Sequence, residues 1–219
     1  MEIKGLACVL VMMLMSISRP SSAQEPSSCR LPSSTPRTGL LGVDARYALW
    51  PFDEKEAWKR QDHVASALGV AKEVSLDLGK GVTMKLVLIP PGKFDMGTPP
   101  DEERDNPAEW ERPHEVTISS PFYLGVYEVS RKQFGKFVAE SGYETEVERS
   151  GRADVLDPAS RRPASKGGSC WREPGFEQDD EHPVVLVTWN DASEFCEWAS
   201  KKAKRKVSLP LPRYLVWVG

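Results

Sequence analysis

The sequence predicts a loop-rich α+β domain. The 18 prolines and 16 glycines among 219 residues favour loops over a helical bundle. Short apolar runs bounded by turn residues read as strands, and stretches with capping residues and helical apolar spacing read as helices. Hydrophobic residues make up 40%, with 7 Trp and 7 Phe, which is too apolar for a disordered chain. The length suits one domain with extras. Lys and Arg number 29 against 32 Asp and Glu, a net charge of −3. With neither a basic excess nor a basic stripe, nucleic acid is not an expected partner.

Residues 1–23 have the layout of a signal peptide. Lys4 supplies a positive start, Leu6 to Ile17 an apolar core, and Ser21-Ser22-Ala23 the small residues of a cleavage site before Gln24. The apolar run is short of the roughly 20 residues of a membrane span, and no later run reaches that length. The expectation is cleavage after Ala23, a secreted or periplasmic protein, and no stable membrane span after cleavage; an uncleaved N-terminal anchor is the alternative. Residues 24–45, rich in Ser, Pro, Thr and Gly, read as a flexible linker. Residues 46–71 form a short N-terminal helical segment. Within it 53–68 is the helix: Asp53 caps, Glu54 and Glu56 face the positive first turn, and Gly69 follows the end. Ala57, Val64, Ala65 and Leu68 give it a thin apolar stripe.

Residues 72–219 carry the main domain. Thr83 to Ile89 is a strand, Pro90-Pro91-Gly92 turns it, and Lys93 to Gly97 begins a second. Residues 98–113 are a charged, proline-containing loop whose acids read as a solvated face rather than a cation site. Strands return at Glu115–Ser119 and Phe122–Tyr127. Ser130 and Gln133 stand at capping-box spacing before Phe134, Phe137 and Val138, a buried helical face that Gly142 ends. Residues 144–181 read as one long polar loop. Val184–Val187 reads as a buried strand. Asn190 is the expected cap of a last helix with Ala192, Phe195, Cys196, Trp198 and Ala199 on its apolar side. The basic run from Lys201 to Lys206 suits the negative end of that helix.

Cys29, Cys170 and Cys196 remain after the expected cleavage, an odd count that leaves at least one free thiol. A Cys170–Cys196 disulfide and two free thiols are both open readings. Cys196, on a helical apolar face, reads as a core or disulfide cysteine rather than a nucleophile. His63, His114 and His182 are isolated and show no metal-ligand spacing. No nucleophile elbow, phosphate loop or dinucleotide fingerprint is present. The residues therefore nominate no catalytic, cofactor-binding or metal site.

A resemblance runs through residues 82–210. Met84 to Gly97 (MKLVLIPPGKFDMG) resembles the opening of the formylglycine-generating enzyme, or sulfatase-modifying factor, family. Glu111-Arg112-Pro113-His114-Glu115-Val116, then Phe122 to Ser130 (FYLGVYEVS) and Gly142-Tyr143-Glu144-Thr145-Glu146 follow in the family's order. Trp171-Arg172-Glu173-Pro174-Gly175-Phe176 and His182 to Ala192 (HPVVLVTWNDA) are the closest matches. The resemblance implies a C-type-lectin-like fold. For the family's founding enzymes it implies copper- and oxygen-dependent oxidation of a sulfatase cysteine, in a Cys-x-Pro-x-Arg motif, to formylglycine. It implies calcium sites in full-length members, and a sulfatase or other protein substrate as partner. The family also includes ergothioneine-pathway sulfoxide synthases and kinase-associated domains.

The tail departs from the family pattern. Leu209-Pro210 is followed by Leu211 to Gly219 (LPRYLVWVG), where the family runs into Thr-Glu-Ala-Glu-Trp-Glu. The family's reactive cysteines, copper site and calcium sites lie beyond this point, so none is carried over. Gly167-Gly168-Ser169-Cys170-Trp171 mimics the family's closing segment, but its context places it in the first-half loop. The expectation is an exported N-terminal part of a family domain, truncated and without oxidase activity of its own. A non-catalytic lectin-like binding module and a truncated remnant are the alternatives.

Overall fold

The computed structural model describes residues 14–16, 53–97, 112–156 and 162–210. The linker at 24–45, most of the charged loop, the tail at 211–219 and Cys29 lie outside the described residues, as does the leader apart from 14–16. In chain order the elements are β1 (Leu14–Ser16), α1 (Glu54–Leu68), β2 (Glu73–Gly79), β3 (Val82–Ile89), β4 (Gly92–Met96), β5 (His114–Ile118), β6 (Phe122–Gly125), α2 (Arg131–Ser141), α3 (Glu146–Ser150), β7 (Arg152–Leu156), β8 (Pro163–Gly167), α4 (Trp189–Ala203) and β9 (Val207–Ser208). They fall into two compact units.

The first unit includes the described residues 14–16, 72–88, 122–156 and 162–210. Its main sheet has the order β2-β3-β6-β1-β9. β2 and β3 form a hairpin from Glu73↔Val87 to Asp77↔Thr83, with a register shift between Asp77 and Gly79. Lys80 and Gly81 both have positive φ, 54° and 77°, as a type I′ turn requires. β3 buries Met84, Leu86 and Leu88 at 2, 1 and 0% exposure, on one face of the strand. Each such side chain contributes about 1.5–3 kcal/mol of burial.

α2 forms where its signals place it. Ser130 accepts from the Gln133 amide and the Gln133 side chain accepts from the Ser130 amide, so both halves of the capping box exist. Gly142 ends the helix at φ 68°. Phe134 and Phe137, with Phe195 of α4, are at most 2% exposed and make the centre of the core. Phe134 stacks on Phe195 at 5.9 Å and meets Phe137 and Trp171 edge-on at 5.4 and 5.2 Å.

Glu140 ties the same two helices on their surface. Its carboxylate lies 2.6 Å from Lys136 Nζ and 2.6 Å from Lys202 Nζ. The bonds to Lys136 and then Lys202 pull its pKa down to about 2. A carboxylate depressed by folding contributes stability above its unfolded value, and that contribution fades as pH falls from about 4.5 through about 2. Glu140→Gln is therefore expected to flatten the acid limb of the stability profile in that window. Urea midpoints measured at stepped pH check this.

Three sequence expectations are corrected here. Residues 144–181 are not one loop. They hold α3, capped by Thr145 and Glu148 and ended by Gly151, and an antiparallel β7–β8 hairpin registered from Arg152↔Gly167 to Leu156↔Pro163. Val184–Val187 is not a strand. Leu186 takes φ 55°, which breaks extended pairing, and the only bridge there joins Ser130 to Pro183. Asn190 does not cap α4; Thr188 does, with Asp191 closing the capping box.

The second unit includes the described residues 53–71, 89–97 and 112–121. α1 starts at Asp53, whose carboxylate accepts from the Glu56 amide at 2.8 Å, and ends at Gly69 with φ 64°. Its buried residues are Arg60, Val64 and Ala65, with Arg60 held by Glu56 at 2.9 Å. β4 and β5 pair antiparallel from Gly92↔Ile118 to Met96↔His114. Gly97 follows at φ 131°, and a Cβ there would lie 2.7 Å from the Arg112 carbonyl oxygen. That approach accounts for glycine after Met96.

Candidate functional site

The candidate site lies in the first unit, where the loop from Trp171 to Pro183 folds over the start of α2. The N-terminal amides of this helix are already used. Arg131 N–H donates to the His182 carbonyl and Lys132 N–H to the Asp180 carbonyl, both at 2.9 Å. The capping box satisfies two more. The helix end therefore fastens the loop rather than offering free donors.

Arg131 completes the fastening from below. One terminal nitrogen donates to the Gln178 carbonyl, and the other donates to the Arg172 carbonyl at 2.9 Å. The guanidinium thereby joins two loop positions that are far from it in sequence. Gln178 Nε2 donates to the Pro183 carbonyl at 2.9 Å. Arg131 Nε and Gln178 Oε1 are buried without a partner beneath the loop.

The loop's two ends are also locked. Arg172 lies over the Trp171 ring at 4.2 Å and donates to Glu148 at 2.6 Å. Burial pushes the Glu148 carboxyl up, but the Thr145 amide and hydroxyl and the Arg172 charge outweigh it and leave the pKa lowered. At the far end His182 Nδ1 lies 2.8 Å from Asp179 Oδ1, which also accepts from the Glu181 and His182 amides. The His182 ring and then the Glu181 amide hold Asp179 below the usual carboxylate range.

This scaffold walls an open cavity of about 770 Å³, lined by Arg131, His182 and residues 172–179. The lining mixes both charge signs with Pro174 and the ring of Phe176, which is 60% exposed. No cysteine lines it. Such a surface suits recognition of a polar chain carrying apolar side groups.

Behind the loop, Asp191 is fully buried. Its Oδ1 accepts from Tyr143 Oη at 2.9 Å and from the Glu146 amide at 3.0 Å, and its Oδ2 accepts from the Thr188 amide at 2.8 Å. The carboxylate thus sits at the N-termini of both α3 and α4, where the helix dipoles favour negative charge. Asn190, beside it, donates to Glu146 at 2.7 Å. The HPVVLVTWNDA motif accordingly supplies a structural junction through Thr188, Asn190 and Asp191, while its His182 belongs to the cavity loop.

The cysteines and histidines do not converge. Cys170 and Cys196 are free, so the disulfide alternative is not the one adopted. Burial pushes the Cys196 thiol up to about 12, which keeps it protonated and unreactive at neutral pH. Among the described residues no group of three or more His, Cys, Asp or Glu side chains gathers to hold a metal. The described residues therefore do not fit the copper or calcium that the family resemblance implies for full-length members. Among them, too, no helix is long and apolar enough to cross a membrane.

The Arg131 clamp and the cavity above it were not singled out from sequence. The only signal was the Trp171–Phe176 motif and its match to a family loop. His182 was singled out only as isolated, and the structure gives it Asp179 as partner.

The sulfatase-modifying factor enzyme 1-like domain family matches residues 77–217, which includes most of the divergent tail. The inactive Cα-formylglycine-generating enzyme 2 of Bos taurus is 34% identical over 148 residues, covering 58% of this chain and 48% of that protein. The formylglycine-generating enzyme of Bos taurus is 35% identical over 139 residues, covering 54% and 36%. The chain thus spans about half the length, or less, of these curated relatives. The solved structure of PvdO from Pseudomonas aeruginosa is 25% identical, with a TM-score of 0.47, over 62% of this chain and 46% of that one. The fold is the loop-rich, mixed α+β, C-type-lectin-like fold, and the chain belongs to the sulfatase-modifying factor (formylglycine-generating enzyme) family.

Proposed function

We propose that this chain is an exported, protein-binding member of the family that does not itself oxidise cysteine. The observation that carries the binding reading is Phe176. It stands 60% exposed on a loop that Arg131 fastens from beneath, beside a cavity with both charge signs. Aromatic rings are enriched at interfaces, and a preorganised loop lowers the ordering cost of presenting one. The non-oxidising reading is supported by Cys196, whose thiol is buried and held protonated, and by the absence of any cysteine from the cavity lining. The leader-like residues 1–23 support export. A sulfatase segment of the Cys-x-Pro-x-Arg type is the proposed ligand, by family membership.

The test is a titration of a fluorescent Cys-x-Pro-x-Arg peptide. The wild-type chain is expected to bind it, and Phe176→Ala to weaken binding by about fivefold or more with an unchanged circular dichroism spectrum. Equal binding by both proteins, or none by the wild type, would overturn this reading.

A further inference from the structure

The main sheet is continuous only because of β1. This strand lies between β6 and β9 and runs antiparallel to both, with Met15 opposite Tyr123 on one side and Val207 on the other. The two walls of its position are anchored separately. β6 is buried along its four residues and neighbours β3. β9 is held to α4 by the Val207 amide, which donates to Ser200 Oγ at 2.9 Å, and Val207 is 5% exposed. Because β6 and β9 are both antiparallel to β1, they run the same way, and a strand in the gap pairs with both walls in the same sense.

The occupant comes from an unexpected stretch. Leu14–Ser16 belongs to the apolar run Leu6–Ile17, the core of the leader-like segment, which ends at an apparent cleavage site after Ala23. The same residues therefore lie in the apolar core of the leader-like segment and form an inner strand of the sheet. Without them, the facing backbone groups of the buried β6 would have no ladder partner, which is costly in apolar surroundings.

We propose that the gap between β6 and β9 is a strand-acceptor slot and that Leu14–Ser16 is its detachable occupant. The segment closes the sheet while it is attached and leaves the slot open when the chain is cut after Ala23. Recognition is by main-chain pairing with an apolar strand, so the slot takes the same segment untethered. The proposal does not depend on the peptide-binding reading of the Phe176 loop.

Hydrogen exchange on the full chain tests this. Met15→Pro removes an amide from a strand paired on both sides and should speed exchange in Phe122–Gly125 and Val207–Ser208 by about tenfold or more. Met15→Ile, which suits a strand, should exchange like the wild type. A synthetic peptide of residues 10–20, added to the Met15→Pro chain, should restore protection at both strands. Unchanged exchange in Met15→Pro would overturn the proposal. If that variant loses protection everywhere, recovery on adding the peptide supports the slot and failure to recover overturns it. Protection in the wild type that rises with protein concentration would assign the strand to a second copy and overturn the assignment within one chain.

Discussion

Replacing Asp191 by alanine is expected to lower stability by about 3–5 kcal/mol, because three part-buried donors lose their buried acceptor together. Those donors are Tyr143 Oη, the Glu146 amide and the Thr188 amide, all within 3.0 Å of the carboxylate. The alanine takes the carboxylate from the starts of both α3 and α4, where the Thr145 and Thr188 side-chain caps remain, at a fully buried position that water does not reach. Asp191→Asn keeps the shape and one oxygen but brings an NH₂ against a donor, so an intermediate loss is expected. Thermal unfolding checks both, with a fall of about 10 °C for the alanine variant. A loss no greater than that of an exposed Asp→Ala control would show that the junction does not hold α3 and α4.

The second large effect is expected at Phe134. Phe134→Ala removes a ring that is 0% exposed and touches Phe137, Phe195 and Trp171, and should cost about 3–5 kcal/mol. It also has a distant consequence. Trp171 loses its edge-on partner, and Trp171 supports the Arg172 end of the cavity loop. Urea unfolding measures the stability loss, and hydrogen exchange in 171–183 measures the loosening. Phe134→Leu, which retains most of the volume, should show a smaller loss of stability and of loop protection.

The local features of the fold were legible, and the long-range ones were not. Asp53, Ser130 and Gln133 announced two helix starts because capping acts over three residues and leaves a fixed spacing. Thr145 and Glu148 have the same spacing, but the polar surroundings of 144–181 hid them. Thr188 and Asp191 share it too, and the preference for Asn190 overlooked them. β2 was missed because Glu73–Gly79 is half-exposed and carries charges at Glu73 and Asp77. The expected strand at Val184–Val187 failed on one backbone angle, that of Leu186, which composition does not encode.

The candidate site lay further out of reach. Arg131 meets Arg172 and Gln178 across 41 and 47 residues, and Asp191 meets Tyr143 and Glu146 across 48 and 45. Bonds of that range leave no periodic trace in a single sequence. Some of these residues were visible only within motifs of family resemblance, Gly142–Glu146, Trp171–Phe176 and His182–Ala192, and Arg131 and Gln178 lie in none of them.

Under the proposed function this chain binds polypeptide without oxidising its cysteine. The most direct measurement incubates the purified chain with a Cys-x-Pro-x-Arg peptide, copper and oxygen, and traps any aldehyde with a hydrazide reagent for mass spectrometry. Bound peptide with its cysteine intact and no hydrazone is the expected result. A hydrazone formed only in the presence of the chain would contradict it and make this protein an oxidase in its own right.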